Sequence, residues 1–142
     1  MSRITTADLE AYKQGQTRPT KPLGKSKVGK TGDRPHYNET SLVKACLAVL
    51  KARGVFAWRV NTGAAKFGNR FVRFGYPGIS DIIGVLPNGK FLAIEAKIHP
   101  NKATEDQWCF LTEIAYSGGV TGVVYSVDDL LAVLDREGAM QP

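Results

Sequence analysis

Asp81, Glu95 and Lys97 lie in "GISDIIGVLPNGKFLAIEAK", residues 78–97, where two apolar runs flank a turn. An apolar hairpin is ordinarily core, and an unpaired charge taken into a core costs several kcal/mol. Three ionisable side chains there require partners, a metal or an edge position. Turn chemistry decides which of them face each other. Leu86-Pro87-Asn88-Gly89 suits a type I turn, with Gly89 in the left-handed region forming a G1 bulge. That register pairs Leu86 with Lys90 and Asp81 with Glu95, and sets Lys97 on the face of Glu95. A two-residue Asn88-Gly89 turn would instead oppose Asp81 to Ala96 and send the two acids to opposite faces. The turn residues favour the first register. Two carboxylates that face each other repel unless a cation lies between them, and oxygen ligands on a rigid frame suit Mg²⁺ or Mn²⁺. A lysine beside that cation can orient water or steady charge on a phosphate. The competing reading is an Asp81–Lys97 or Glu95–Lys97 ion pair on an edge strand.

The flanking sequence must supply the elements that hold these residues. Asn38 can cap a helix whose Leu42, Val43, Cys46, Leu47, Val49 and Leu50 make an apolar face, with Gly54 as its stop. "VFAWRVN" reads as a strand, and "TGAAKFGNRFVRFGYPG" as a Gly-rich basic loop with one short strand inside it. Strands near 80–86 and 90–98 follow. Thr104 opens a second helix, Gln107 completes a capping-box pattern, and Gly118-Gly119 ends it. "VTGVVYS" is a buried strand and "VDDLLAVLDREG" a closing helix. The predicted order is αβββαβα: an α/β fold with a mixed sheet flanked by helices, in which an antiparallel hairpin feeds a helical crossover.

The chain has 142 residues and a net charge of +6, enough for one domain with a real core. Residues 1–37 hold eight Lys or Arg against three acids, a net +5 that leaves only +1 for residues 38–142. We read 1–37 as a basic flexible arm and 38–142 as the folded domain. Within the arm, 4–12 could form a short helix, while 13–36 lacks the apolar residues to offset ordering entropy. Such an arm either meets a polyanion or only solubilises. "GKSKVGKTG" lacks the GxxxxGK[ST] spacing and follows no strand, so no nucleotide cofactor is expected. Cys46 and Cys109 stand alone, which argues against zinc or a disulfide framework. No apolar run reaches the ~20 residues of a membrane span, and the N-terminal stretch lacks a signal-peptide core. The expectation is a cytoplasmic protein.

"PGISD" followed fourteen residues later by "EAK" resembles the PD-(D/E)xK nuclease pattern, with Asp81 as the acid and Glu95-Ala96-Lys97 as the (D/E)xK. Glu39 on the preceding helix, "WRVNTG", "GYPGISD", "IEAK" and Gln107 on a later helix occur in order. That set resembles the virus-type replication-repair nuclease (VRR-NUC) family over roughly residues 38–125. Pro77 stands four residues before Asp81, the spaced form associated with this family. The resemblance implies a restriction-endonuclease-like core and a Mg²⁺- or Mn²⁺-dependent DNA endonuclease. In it Asp81, Glu95, the Ala96 carbonyl and Glu39 serve the metal, and Lys97 and Gln107 serve catalysis. It further implies a homodimer acting on branched DNA such as four-way (Holliday) junctions, in a phage or bacterial setting. A restriction-like or general nicking endonuclease, and a non-catalytic DNA-binding module, are the other readings.

Glu39 shares the core-facing stripe with Leu42, Val43, Cys46 and Leu50, which is more than a surface cap requires. Gln107 shares a helical face with Leu111 and Ile114, so it either points into the site or serves only Thr104. Arg59, Asn61, Lys66, Arg70 and Arg73, interleaved with aromatics, read as a DNA-backbone surface. Trp58 and Phe71 among those aromatics are expected in the core. His36 and His99 are expected as ordinary surface residues, and Asp128-Asp129 as a helix N-terminal charge pair.

Overall fold

The computed structural model describes residues 38–136, so the readings of the basic arm, including the 4–12 helix and His36, fall outside the described residues. Helix α1 spans Glu39–Ala52 and opens where expected, with the Asn38 side chain accepting from the backbone N–H and the hydroxyl of Ser41. Strands β1 (Phe56–Arg59), β2 (Gly63–Phe67), β3 (Arg70–Phe74), β4 (Ile82–Val85) and β5 (Phe91–Ala96) follow. Helix α2 (Glu105–Tyr116), strand β6 (Val120–Val124) and helix α3 (Val127–Arg136) complete the described residues. A full capping box between Thr104 and Gln107 starts α2. Asp128 and Asp129 lie in the first turn of α3, where negative charge suits the helix dipole.

Four strands form a mixed sheet in the order β1-β4-β5-β6, antiparallel except for the parallel β5–β6 pair that α2 bridges. The predicted hairpin register is the observed one. Ile82 faces Ile94 and Val85 faces Phe91, Leu86 donates to the Lys90 carbonyl, and Gly89 donates to Leu86 at φ +83°. Period-2 alternation then sorts the side chains. Ile82, Leu92, Ile94, Ala96, Val120 and Val124 turn to one face, where the apolar stripes of α1 and α3 close the main core over them. Asp81, Ile83, Val85, Ala93 and Glu95 turn to the other face, and α2 covers its β5–β6 half.

The one-strand reading of residues 62–78 is corrected: two strands, β2 and β3, pair with each other in a separate two-stranded sheet. Gly68-Asn69, with Gly68 at φ +58°, turns between them. Trp58 and Phe71 are also corrected. They are 43% and 67% exposed, because Trp58 lies on edge strand β1 beyond the reach of α2 and Phe71 lies on the hairpin. Among the described residues, no helix is long and apolar enough to cross a membrane.

Candidate active site

The register that aligns Ile82 with Ile94 brings Asp81 opposite Glu95, at the end where β4 gives way to the preceding loop. Asp81 is fixed there twice. Its carbonyl accepts from Val60, and its carboxylate Oδ2 accepts from the Ala96 N–H at 3.0 Å. The side chain thus takes a ladder position on β5. Because the N–H and C=O of one strand residue face the same neighbour, the Ala96 carbonyl lies on the Asp81 side as well.

Glu95 lies wholly inside the protein on an interior strand. Its Oε1 accepts from Gln107 Nε2 at 2.6 Å and meets Lys97 Nζ at 2.8 Å. Its Oε2 is buried and makes no hydrogen bond. Burial first, and the charge of Asp81 second, push the Glu95 pKa up to about 7 against the opposing pull of Lys97 and the Asp81 backbone. Lys97 is nearly buried. Desolvation works against its charge, but Glu95, then Glu39 and Asp81, outweigh it and hold its pKa above the ordinary value. Lys97 is therefore a standing cation at neutral pH. The ion pair foreseen as the plainer alternative exists as Glu95–Lys97, but on an interior strand rather than an edge.

Gln107 satisfies both roles weighed for it. Its Oε1 accepts from the Thr104 N–H while its Nε2 donates to Glu95, so one amide caps α2 and holds an acid. Glu39 lies half-buried in the first turn of α1, where its charge acts on Lys97. Among the described residues no three His, Cys, Asp or Glu side chains form a metal-holding group. The donors that converge are two carboxylates and a backbone carbonyl. They fit a hard divalent cation in one specific respect: Oε2 is a buried carboxyl oxygen without a hydrogen-bond partner, beside a second carboxylate.

Arg59, Asn61, Lys66, Arg70 and Arg73 are all exposed, on or between β1, β2 and β3. A cleft of about 510 Å³ runs between the root of the hairpin and the start of α2, with Arg73, Phe74, Tyr76, Thr104, Asp106 and Gln107 in its walls. Asp106 was not singled out from sequence, where it looks like an ordinary first-turn acid. His99 is exposed as expected but stacks on Tyr125 at 4.1 Å. Cys46 is buried, with its thiol pushed up to about 11 by burial and then by Asp129, and is thereby inert. No family model, curated protein or solved structure matches the chain.

Proposed function

We propose that the chain is a divalent-metal-dependent DNA endonuclease of the VRR-NUC type, built on a PD-(D/E)xK core. The observation that carries this reading is the buried, partnerless Glu95 Oε2 beside Asp81, with Lys97 on the other oxygen. A purely structural ion pair needs neither a second facing acid nor an orphaned oxygen, since an unmet buried acceptor costs about 1–3 kcal/mol. Mg²⁺ or Mn²⁺ would be held by Asp81, Glu95 and the Ala96 carbonyl and would supply Lewis-acid charge for phosphodiester hydrolysis. The chain's own residues do the rest. Asp81 is kept in place by the Ala96 N–H, and Gln107 locks the Glu95 rotamer. Lys97, already protonated, offers a hydrogen bond and a positive charge to a phosphate oxygen or to the attacking water. Glu39 supports the charge on Lys97. Arg59, Asn61, Lys66, Arg70 and Arg73 hold the DNA backbone. Branched DNA as substrate and a two-fold dimer with two sites belong to the same proposal.

The test is incubation with labelled linear, flap and four-way DNAs in Mg²⁺ or Mn²⁺, together with Mn²⁺ binding isotherms. Metal-dependent cutting that EDTA stops, with Mn²⁺ binding lost in Asp81→Ala, is the expected result. The 2.8 Å Glu95–Lys97 contact favours a second reading, a DNA-binding module without chemistry. DNA binding with neither cutting nor Mn²⁺ uptake would establish it.

A further inference from the structure

We propose that the cleft between the hairpin root and α2 takes one unpaired nucleotide of the DNA, seating its base beside the Asp81–Glu95 pair. The inference rests on the nuclease reading and gives it a source of structure preference. At about 510 Å³ the cleft has the size of a small-molecule site. Its walls carry the chemistry of a nucleobase. Phe74 and Tyr76 are 48% and 63% exposed, and Tyr76 is backed by Phe110 at 5.7 Å between ring centroids, which leaves aromatic surface for a base to stack on. Thr104 and Asp106 at the α2 end offer hydrogen-bonding groups to base edges, and the Asp106 carboxylate repels phosphate from that end. Arg73, on the hairpin, supplies the cation for the phosphate. Gln107 belongs to both places, because it lines the cleft and donates to Glu95.

Gly78, at φ +74°, lies so close to α2 that a Cβ there would run into the Asp106 carbonyl group, so the loop at the floor of the cleft packs directly on the start of the helix. A base stacked within a duplex shows only its edges, whereas aromatic walls take its face. An unpaired or displaced base is the one that fits.

The experiment uses the full chain and a duplex bearing one unpaired 2-aminopurine, first in EDTA to read binding and then in Mn²⁺ to read cleavage. Binding should quench the 2-aminopurine, Phe74→Ala and Tyr76→Ala should abolish the quenching, and Tyr76→Phe should retain it. In Mn²⁺ the kcat/KM ratio of unpaired-nucleotide DNA to fully paired DNA should fall about tenfold in the two alanine variants. An abasic nucleotide at the same place should produce the same fall with the unaltered protein, whatever the folding of the variants. If the bound 2-aminopurine stays bright and the abasic DNA is cut as well as the intact one, the cleft proposal is overturned while the nuclease reading stands. DNA that is neither bound nor cut overturns both.

Discussion

Two hairpins, β4–β5 and β2–β3, are separated only by residues 75–81 and obey opposite rules. The β4–β5 hairpin is interior to its sheet, with Ile82, Leu92, Ala93, Ile94, Glu95 and Ala96 all fully inside the protein. The β2–β3 hairpin pairs only with itself and leaves Phe67, Phe71, Val72 and Phe74 substantially exposed. Where one face is buried, a register slip of one residue would exchange core and surface, so the register is firmly specified. Nothing comparable restrains β2–β3. The first hairpin can therefore hold two acids in alignment, and the second can adjust to an irregular partner. Under the proposed function, chemistry would thus fall to a firmly registered ribbon and contact with DNA to a permissive one.

The largest effects should come from removing the aligned charges. Asp81→Ala, Glu95→Ala and Lys97→Ala should each lower cleavage a hundredfold or more with the fold retained, whereas Lys66→Ala and Arg70→Ala should cut at close to the wild-type rate at saturating DNA. Rates with circular dichroism on the same samples decide this, and one wild-type rate among the first three removes that residue from the site.

Next comes pH. Folded Glu95 holds its proton up to about 7 against an ordinary value of 4.5. Between those values the folded state keeps a proton that the unfolded state has released, so without metal stability should fall as pH rises through that window. Mn²⁺ requires the bare carboxylate, so its affinity should rise by up to tenfold per pH unit and level off above about 7. Titration calorimetry from pH 5 to 8 reads this directly, and a flat affinity would place the metal away from Glu95.

The same substitution in both turns sharpens the contrast further. Gly89 and Gly68 both have positive φ, and a side chain at either would meet open space, so Val should strain both turns by a similar 1–2 kcal/mol. Gly89→Val should nevertheless lose about tenfold in cleavage at saturating Mn²⁺, because relief through another loop length moves Asp81 off Glu95. Gly68→Val should keep most of its rate, and Asn88→Asp serves as a control. Equal losses in the two Val variants would mean that the β4–β5 turn does not set the alignment. The smallest effect belongs to the hairpin charges: Lys66→Ala and Arg70→Ala should each lower the log–log salt slope of duplex binding by about 0.9, with a denaturant midpoint unchanged; an unchanged slope removes that residue from the DNA surface.

The parts of this fold governed by local chemistry could be read from the chain. Asn38, Thr104 and Leu86-Pro87-Asn88-Gly89 act within four residues of themselves, and from them followed the two helix starts and the pairing of Asp81 with Glu95. The parts that depend on what covers what could not. Trp58 sits in a β-forming run and looks like core, yet its exposure follows from where α2 lies, which nothing near residue 58 records. The β2–β3 hairpin was hidden because both its faces are open, so no polar and apolar alternation marks it. The Phe67-Gly68-Asn69-Arg70 turn carried the available signal. Gln107 was framed as a choice between two partners because sequence spacing does not reveal that a primary amide can serve both at once.

Gly78 has a mechanical consequence. With backbone set against backbone where no methyl group fits, the 75–80 loop packs directly on the first turn of α2. The loop runs into Asp81, and that helical turn carries Gln107, so one solid joint leads to both acids. Its amides should exchange with solvent deuterium in a single cooperative step rather than fraying one by one. Anything wedged against that joint would press on Asp81 and Glu95 together, as a load on one beam is felt at both of its supports.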